Sequence, residues 1–258
     1  MKIIKSKDNA RYKAAFKLKS RKYRDETGLY LLEGIKPLKD ALEYGSQPEA
    51  VFIEEGSGAG IIPDDRVFGI TRELFAQLSD TENSQGVISV FRQQPSGEER
   101  LEKLLDGGGH ILILDRIQDP GNMGTMIRTA EAAGYGGVVL LKGCVDVYSP
   151  KVVRSAAGSV MRVPLVSRAD EDKLISLAGS TGRKLVVTAL EGAEDYREVT
   201  YPERSLLVIG NEGKGASEGL MNAADVKIKI PMAGAIESLN AAVAAGILMY
   251  ESQNIKSM

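Results

Sequence analysis

From residue 110 onward the chain alternates short, unbroken apolar runs with amphipathic stretches. Ile-Leu-Ile-Leu at 111–114, Val-Val-Leu-Leu at 138–141, Val-Pro-Leu-Val at 163–166, Leu-Val-Val at 185–187, Leu-Leu-Val-Ile at 206–209 and Val-Lys-Ile-Lys-Ile at 226–230 predict strands. Segments 122–133, 150–157, 170–178, 217–223 and 238–252 predict the helices between them. Val, Ile and Leu runs with little polar alternation belong to a parallel sheet covered on both faces, so this half predicts an α/β domain.

The front of the chain predicts a smaller α/β domain over 1–92. A helix over 35–44 is closed by Gly45, a residue suited to the left-handed turn that ends helices. Strands over 50–53 and 66–70 flank a Gly-rich loop, Thr71 caps a helix through 78, and a further strand covers 86–91. Gln93-Gln94-Pro95-Ser96-Gly97, a charged amphipathic stretch over 98–105 and Gly107-Gly108-Gly109 predict a linker over 93–109, leaving 110–258 as the second domain.

Charge changes the picture because it is unevenly spread. Residues 1–24 hold ten Lys and Arg against Asp8 alone, a balance of +9, and an overall −2 leaves −11 for the remainder. A basic arm on an acidic body predicts a polyanion partner, since each neutralised phosphate releases counterions. Lys17, Lys19, Arg21, Lys22 and Arg24 are its candidate nucleic-acid contacts, with Tyr12, Phe16 and Tyr23 interleaved as stacking groups. The same spacing fits a helix with its aromatics in a core and its cations in water, and both readings hold together.

Composition mainly excludes. No apolar run approaches the ~18 residues a membrane span needs, and the first residues lack the pattern of a signal peptide. Cys144 is the only cysteine, which rules out an intrachain disulfide and a cysteine zinc cage. The expected location is the cytoplasm, and no membrane partner is expected.

Ligands of open α/β sheets bind beyond the carboxyl ends of the strands, and three of those ends carry unusual loops. After 111–114 comes Asp119-Pro120-Gly121-Asn122-Met123-Gly124, running on to Arg128. After 206–209 comes Gly210-Asn211-Glu212-Gly213-Lys214-Gly215, and after 226–230 comes Pro231-Met232-Ala233-Gly234, ending in Glu237-Ser238-Leu239-Asn240. None has the glycine spacing of a dinucleotide fingerprint or a P-loop, which disfavours an oxidoreductase with a nucleotide cofactor.

Together the patterns N-x-G-x-x-x-R, I-G-N-E-G-x-G and I-P-M-x-G-x-x-E-S-L-N resemble the three motifs of the SpoU (TrmH) family of RNA ribose methyltransferases. The resemblance covers about 108–255. Ser6-Lys7-Asp8-Asn9, Arg21-Lys22-Tyr23-Arg24 and Leu32-Glu33-Gly34 are also similar to that family's substrate-binding domain. One departure is Ala241-Ala242 after Asn240, where relatives often carry Val-Ser.

The resemblance implies a SPOUT-type parallel sheet with a C-terminal trefoil knot. It implies S-adenosylmethionine held by Leu190, Gly192, Gly210, Ile230 and Leu239, and a catalytic set of Asn122, Arg128, Glu212, Ser238 and Asn240. It further implies methyl transfer to a ribose 2′-hydroxyl of structured RNA, rRNA favoured over tRNA, by a homodimer. The alternative is a noncatalytic RNA-binding or ribosome-assembly protein that keeps the fold.

Simpler roles for these residues stay open in the sequence. Asn122 suits a helix cap, Arg128 an ion pair with Glu131 or Asp119, and Glu212 a turn carboxylate or a partner for Arg128. The family assigns Arg128 the general base; a guanidinium holds its proton so firmly that orienting a hydroxyl or gripping a phosphate is physically easier. Lys151 and Arg154, beyond Tyr148-Ser149-Pro150, suit RNA contact and solvated surface equally well. The small residues Ala241, Ala242, Ala244, Ala245 and Gly246 are expected to let the last helix approach its mate.

Overall fold

A computed structural model describes residues 2–57 and 65–253, so most of the expected Gly-rich loop lies outside the described residues. The chain divides into two compact units. One comprises residues up to 93 together with 148–161, and the other comprises 94–147 and 162 onward.

The first unit contains β1 (Lys2–Ile4), α1 (Ala10–Lys17), α2 (Arg21–Thr27), β2 (Leu29–Glu33), α3 (Ile35–Glu43), β3 (Ala50–Glu54), β4 (Val67–Ile70), α4 (Arg72–Leu78) and β5 (Val87–Arg92). Its described strands form a mixed sheet in the order β1-β4-β3-β5-β2. β1, β4 and β3 are parallel, whereas β5 runs antiparallel to both β3 and β2. The sequence pattern misses β1 and β2, whose strand character comes from pairing across the sheet.

The basic arm is built into this unit. Asn9 caps α1 by accepting the Arg11 and Tyr12 N–H groups. Tyr12 and Ala15 are buried, and the Tyr12 hydroxyl donates to Leu74 O of α4 at 3.0 Å. Phe16 stacks on Tyr12 from the exposed side.

The second unit opens with α5 (Glu98–Asp106), β6 (Ile111–Leu114), α6 (Pro120–Ala132) and β7 (Gly137–Leu141). The chain then passes through α7 (Pro150–Ser155) and into α8 (Ser159–Arg162) before returning to β8 (Leu165–Ala169). α9 (Glu171–Thr181), β9 (Lys184–Thr188), β10 (Glu194–Asp195), β11 (Ser205–Ile209), α10 (Glu218–Ala223), β12 (Val226–Lys229) and α11 (Ala241–Ser252) complete it.

Among the described residues seven strands, all parallel, stand in the order β10-β12-β9-β11-β6-β7-β8. β6 and β11 are the buried centre, every residue of β6 being wholly covered. α5, α9 and α10 pack on one face through Leu101, Leu105, Leu174 and Leu220, while α6 and α11 pack on each other. β12 lies on the far side of β9 from β11, yet α11 reaches β11 and α6. The last segment therefore crosses back over the sheet.

Two boundaries differ from expectation. Residues 98–106 of the expected linker form α5, whose Leu101, Leu104 and Leu105 enter the second unit's core. Arg183 fastens the glycines that follow, donating to Leu105 O at 2.6 Å, Gly107 O at 2.7 Å and Gly109 O at 2.8 Å. Burial and nearby Arg204 lower its pKa to about 10, which leaves it charged at neutral pH.

Residues 148–161, expected within the second domain, belong to the first unit. Tyr148 lies with its ring 4.9 Å from Tyr30, and Val152 and Val153 are buried. A helix this short has no stability alone, so its apolar face decides where it rests.

The amino edge of the large sheet buries His110. Its Nδ1 accepts the Ser205 N–H at 3.3 Å and lies 2.7 Å from Ser205 Oγ. Burial, aided by the positive charge of Arg183, lowers its pKa below the usual 6.5, against an opposing hydrogen bond to the Ser252 backbone. Below pH 6.5 the unfolded chain takes up this proton more readily than the folded one, so stability falls as pH drops toward the folded pKa. Urea midpoints are expected to hold level from pH 8 to 7 and to decline between about pH 6.5 and 5, ahead of carboxylate protonation. A flat profile through that window counts against a neutral, buried His110.

Candidate active site

The sheet gathers the carboxyl ends of β6, β9, β11 and β12 along one edge, and the order reverses beside β6 and β11, where such folds place ligands. At the β6 end, Asp119 caps α6, accepting the Asn122 N–H at 2.7 Å, with Pro120 in the first turn. The cap expected of Asn122 thus belongs to Asp119, which leaves the Asn122 amide free for other partners.

Those partners come from distant loops. Asn122 Nδ2 donates to Glu212 Oε1 at 3.3 Å, across 90 residues of sequence. Asn240 Nδ2 donates to Asn122 Oδ1 at 2.9 Å, across 118 residues. Asn240 Oδ1 meanwhile caps α11, accepting from Ala242 N at 2.9 Å and Val243 N at 3.3 Å. Each amide therefore donates to one neighbour and accepts from another, which fixes its orientation. The chain Asn240–Asn122–Glu212 joins all three loops.

Glu212 also accepts the Gln118 and Asp119 N–H groups, each at 3.3 Å. Partial burial pushes its pKa up, but hydrogen bonds from its own backbone, Asn122, Gln118 and Asp119 outweigh that and leave it below the ordinary carboxylate value. It is an ionised anchor for the first loop rather than a partner for Arg128. Its own loop folds tightly, with paired Asn211 and Gly215 backbones and Asn211 Oδ1 accepting from Gly213 N and Lys214 N. A Cβ at Gly210 would come within 2.1 Å of Ala216 N, so the loop's return over the backbone dictates this glycine.

Arg128 is exposed on α6, two turns along from Asn122, with no ion pair or hydrogen bond among the described residues. The acids proposed to hold it are engaged elsewhere. Glu131 takes the Arg162 guanidinium in two bonds of 2.5 and 2.9 Å, and Asp119 serves as the cap. Ser238 is likewise exposed without a hydrogen bond among the described residues, so capping of α11 accounts for Asn240 alone. Arg128, nearly two turns along α6 from Asn122, and Ser238, two residues before Asn240, thus present a guanidinium and a hydroxyl that no described residue engages.

The residues expected to hold S-adenosylmethionine follow the ends of β9, β11 and β12. Leu190 is 82% exposed, Ile230 and Leu239 are half-buried, and Gly192 has φ +63 with open space where a side chain would stand. A bare leucine beside an unobstructed backbone suits a cofactor with an apolar face and amide-reading edges. Gly210 contributes main chain only.

Among the expected RNA contacts, Arg24 needs correction. It is 4% exposed and donates to Leu18 O at 2.6 Å and Lys19 O at 2.9 Å, fastening the turn between α1 and α2. Lys19 is drawn to Asp80 at 3.0 Å and to the Gln77 and Ser79 carbonyls. Lys17 lies over the Tyr23 ring, whereas Arg21 and Lys22 make only long, exposed pairs with Asp25 and Glu26, both at 3.9 Å. Cys144 donates to Leu114 O and burial pushes its thiol up to about 11, so it is an inert core group.

In sequence and fold the chain is similar to known proteins. Residues 109–250 match the model of the SpoU rRNA Methylase family, and residues 9–89 match the MRM3-like substrate binding domain. The chain is 34% identical to the 23S rRNA (guanosine(2553)-2′-O)-methyltransferase RlmP of Bacillus subtilis, over 97% of this chain and 98% of that protein. It is 31% identical to the mitochondrial rRNA methyltransferase 3A of Danio rerio, over 95% of this chain and 68% of the relative. Among solved structures, an AdoMet-bound rRNA methyltransferase from Sinorhizobium meliloti superposes with a TM-score of 0.89 at 30% identity, covering 100% of this chain and 99% of the other. AviRb from Streptomyces viridochromogenes in complex with AdoMet gives 0.83 at 27% identity, covering 95% and 97%.

The double use of Asn240 is separable by mutation. Asn240→Ala removes the α11 cap and is expected to cost about 1 kcal/mol in urea unfolding, whereas Asn240→Ser keeps a capping oxygen and loses only a few tenths. Equal stability of the two variants would show that the cap contributes nothing.

Proposed function

Because the chain belongs to the SpoU rRNA methylase family, we propose that it methylates a ribose 2′-hydroxyl of structured RNA, with ribosomal RNA favoured over transfer RNA. It is an RNA methyltransferase that uses S-adenosylmethionine, which supplies an electrophilic methyl group when bound. Leu190, Gly192, Gly210, Ile230 and Leu239 hold that cofactor, largely through main chain, and the crossing of the last segment forms the trefoil knot of the pocket.

The observation that carries the reading is the Asn240–Asn122–Glu212 chain, which joins the three loops, with Arg128 farther along α6 and without a partner among the described residues. Methyl transfer needs the ribose oxygen held in line and its proton drawn away. Asn122 is pre-oriented by its two neighbours, so it meets the substrate with no reorganisation of its amide. Arg128 directs its planar fork of donors at the ribose oxygen or an adjacent phosphate, and Ser238 adds a hydroxyl. Glu212 stays ionised and keeps the first loop in place.

Lys17, Lys19, Arg21 and Lys22 grip RNA from the first unit, a role supported by the substrate-binding match. The protein acts in the cytoplasm as a homodimer. Of the small residues expected to meet a mate, Ala242 and Ala245 are buried within this chain, whereas Ala241, Ala244 and Gly246 are only partly covered. Val243 and Tyr250, seven residues apart and both about half exposed, give α11 the apolar outer stripe on which a second copy packs.

The reading is tested by mapping ribose methylation across total RNA from a deletion strain and its complement. Loss and return of one rRNA ribose methyl supports it. An unchanged map with intact cofactor binding leaves the noncatalytic assembly protein.

Arg128→Lys keeps the charge but not the fork. Single-turnover transfer is expected to fall about a hundredfold, or ~2.7 kcal/mol, with cofactor affinity unchanged. A near-wild-type rate removes Arg128 from the mechanism. Reversing Lys17, Arg21 and Lys22 to Glu is expected to weaken RNA binding and flatten its dependence on salt. An unaltered slope would mean that these cations only face water.

A further inference from the structure

We infer that Asp115 and Arg116 clamp the 210–217 loop and so position Glu212 against Asn122, which makes them positioning residues for the methyl transfer proposed above. The inference rests on that reading of the site.

Asp115 directly follows the central strand β6 and is 1% exposed, a depth at which an unpaired carboxylate is not tolerated. Arg116 answers it bidentately, Nε to Oδ1 and Nη2 to Oδ2, both at 2.8 Å. The pair then grips the neighbouring loop at three places. Ser217 N donates to Asp115 Oδ2 at 2.8 Å, Arg116 Nη2 donates to Gly215 O at 3.2 Å, and Asn211 Nδ2 donates to Arg116 O at 2.8 Å. These contacts bracket Glu212 on both sides. Its own bonds to Gln118, Asp119 and Asn122 close the circuit from the opposite direction.

The backbone supports a dedicated role. Arg116 has φ +54, a region that favours glycine or asparagine and strains an arginine. This conformation turns the guanidinium back onto Asp115 and Gly215 while the carbonyl faces Asn211. Gly143 completes the fit, since a Cβ there would meet Arg116 Cγ at 3.0 Å. Gln118 ties the same turn to Gly143, donating to Arg116 O at 3.0 Å and to Gly143 O at 2.7 Å. Two loops 95 residues apart in sequence behave as one rigid piece.

Arg116→Asn tests this well because asparagine accepts the left-handed backbone while the guanidinium is removed. Single-turnover transfer at saturating cofactor and RNA is expected to fall at least tenfold with the RNA dissociation constant unchanged, and Arg116→Lys is expected to recover part of the loss. In a Glu212→Gln background the same substitution is expected to lower the rate less than about twofold further, because both act through one unit. Equal fold losses in the two backgrounds, or a loss confined to RNA affinity, would overturn the clamp. Should Arg116→Asn fail to fold, Arg116→Lys carries the same cycle.

Hydrogen exchange reads the clamp without catalysis. Amides of 211–217 are expected to exchange at least tenfold faster in Arg116→Asn, with α6 unaffected; unchanged rates overturn the inference. A wild-type protein that methylates no RNA removes the proposed function instead, and the exchange measurement still decides the clamp.

Discussion

Parallel pairing puts the carboxyl end of every strand in the second unit on the same edge, and the site depends on that constraint. β6, β9, β11 and β12 lie far apart in sequence, yet their following loops must open side by side. A parallel sheet buried on both faces can be reached only from its ends. Chemistry on this architecture is therefore confined to loops, and precision has to come from what holds the loops together.

Here the holding is polar and reciprocal. Glu212 takes N–H groups from the first loop, and Asp115 and Arg116 bind groups of the second. Asn240 does two things at once, capping α11 with its oxygen and orienting Asn122 with its nitrogen. Satisfied groups of this kind resist reorganisation, since each bond broken leaves a partner unmade. Against that fixed background Arg128 and Ser238 are exposed and left without partners among the described residues.

The first unit follows a different logic. Its sheet is mixed, and its fold incorporates a segment from much later in the chain, with Tyr148 against Tyr30 and Val152 and Val153 buried. The basic arm is likewise structural on one side, where Tyr12, Ala15 and Arg24 are buried, and solvated on the other. Cations on a packed scaffold lose less freedom on meeting a polyanion than cations on a loose tail.

By itself the sequence determined the parallel α/β class and the positions of most strands, because unbroken Val, Ile and Leu runs are stable only when covered on both faces. Three contiguous motifs also carried the family resemblance, which put forward Asn122, Arg128, Glu212, Ser238 and Asn240 as candidates. Tertiary structure decided the pairings. Nothing near Asn122 announces a bond to residue 240, nor does Arg24 show that it will be buried while Arg21 stays in water. Asp119 rather than Asn122 caps α6, α5 stands where a linker was expected, and 148–161 joins the first unit. Each of these outcomes is set by which distant groups satisfy a buried charge, a free backbone N–H or an apolar face. Those partners exist only once the sheet has assembled.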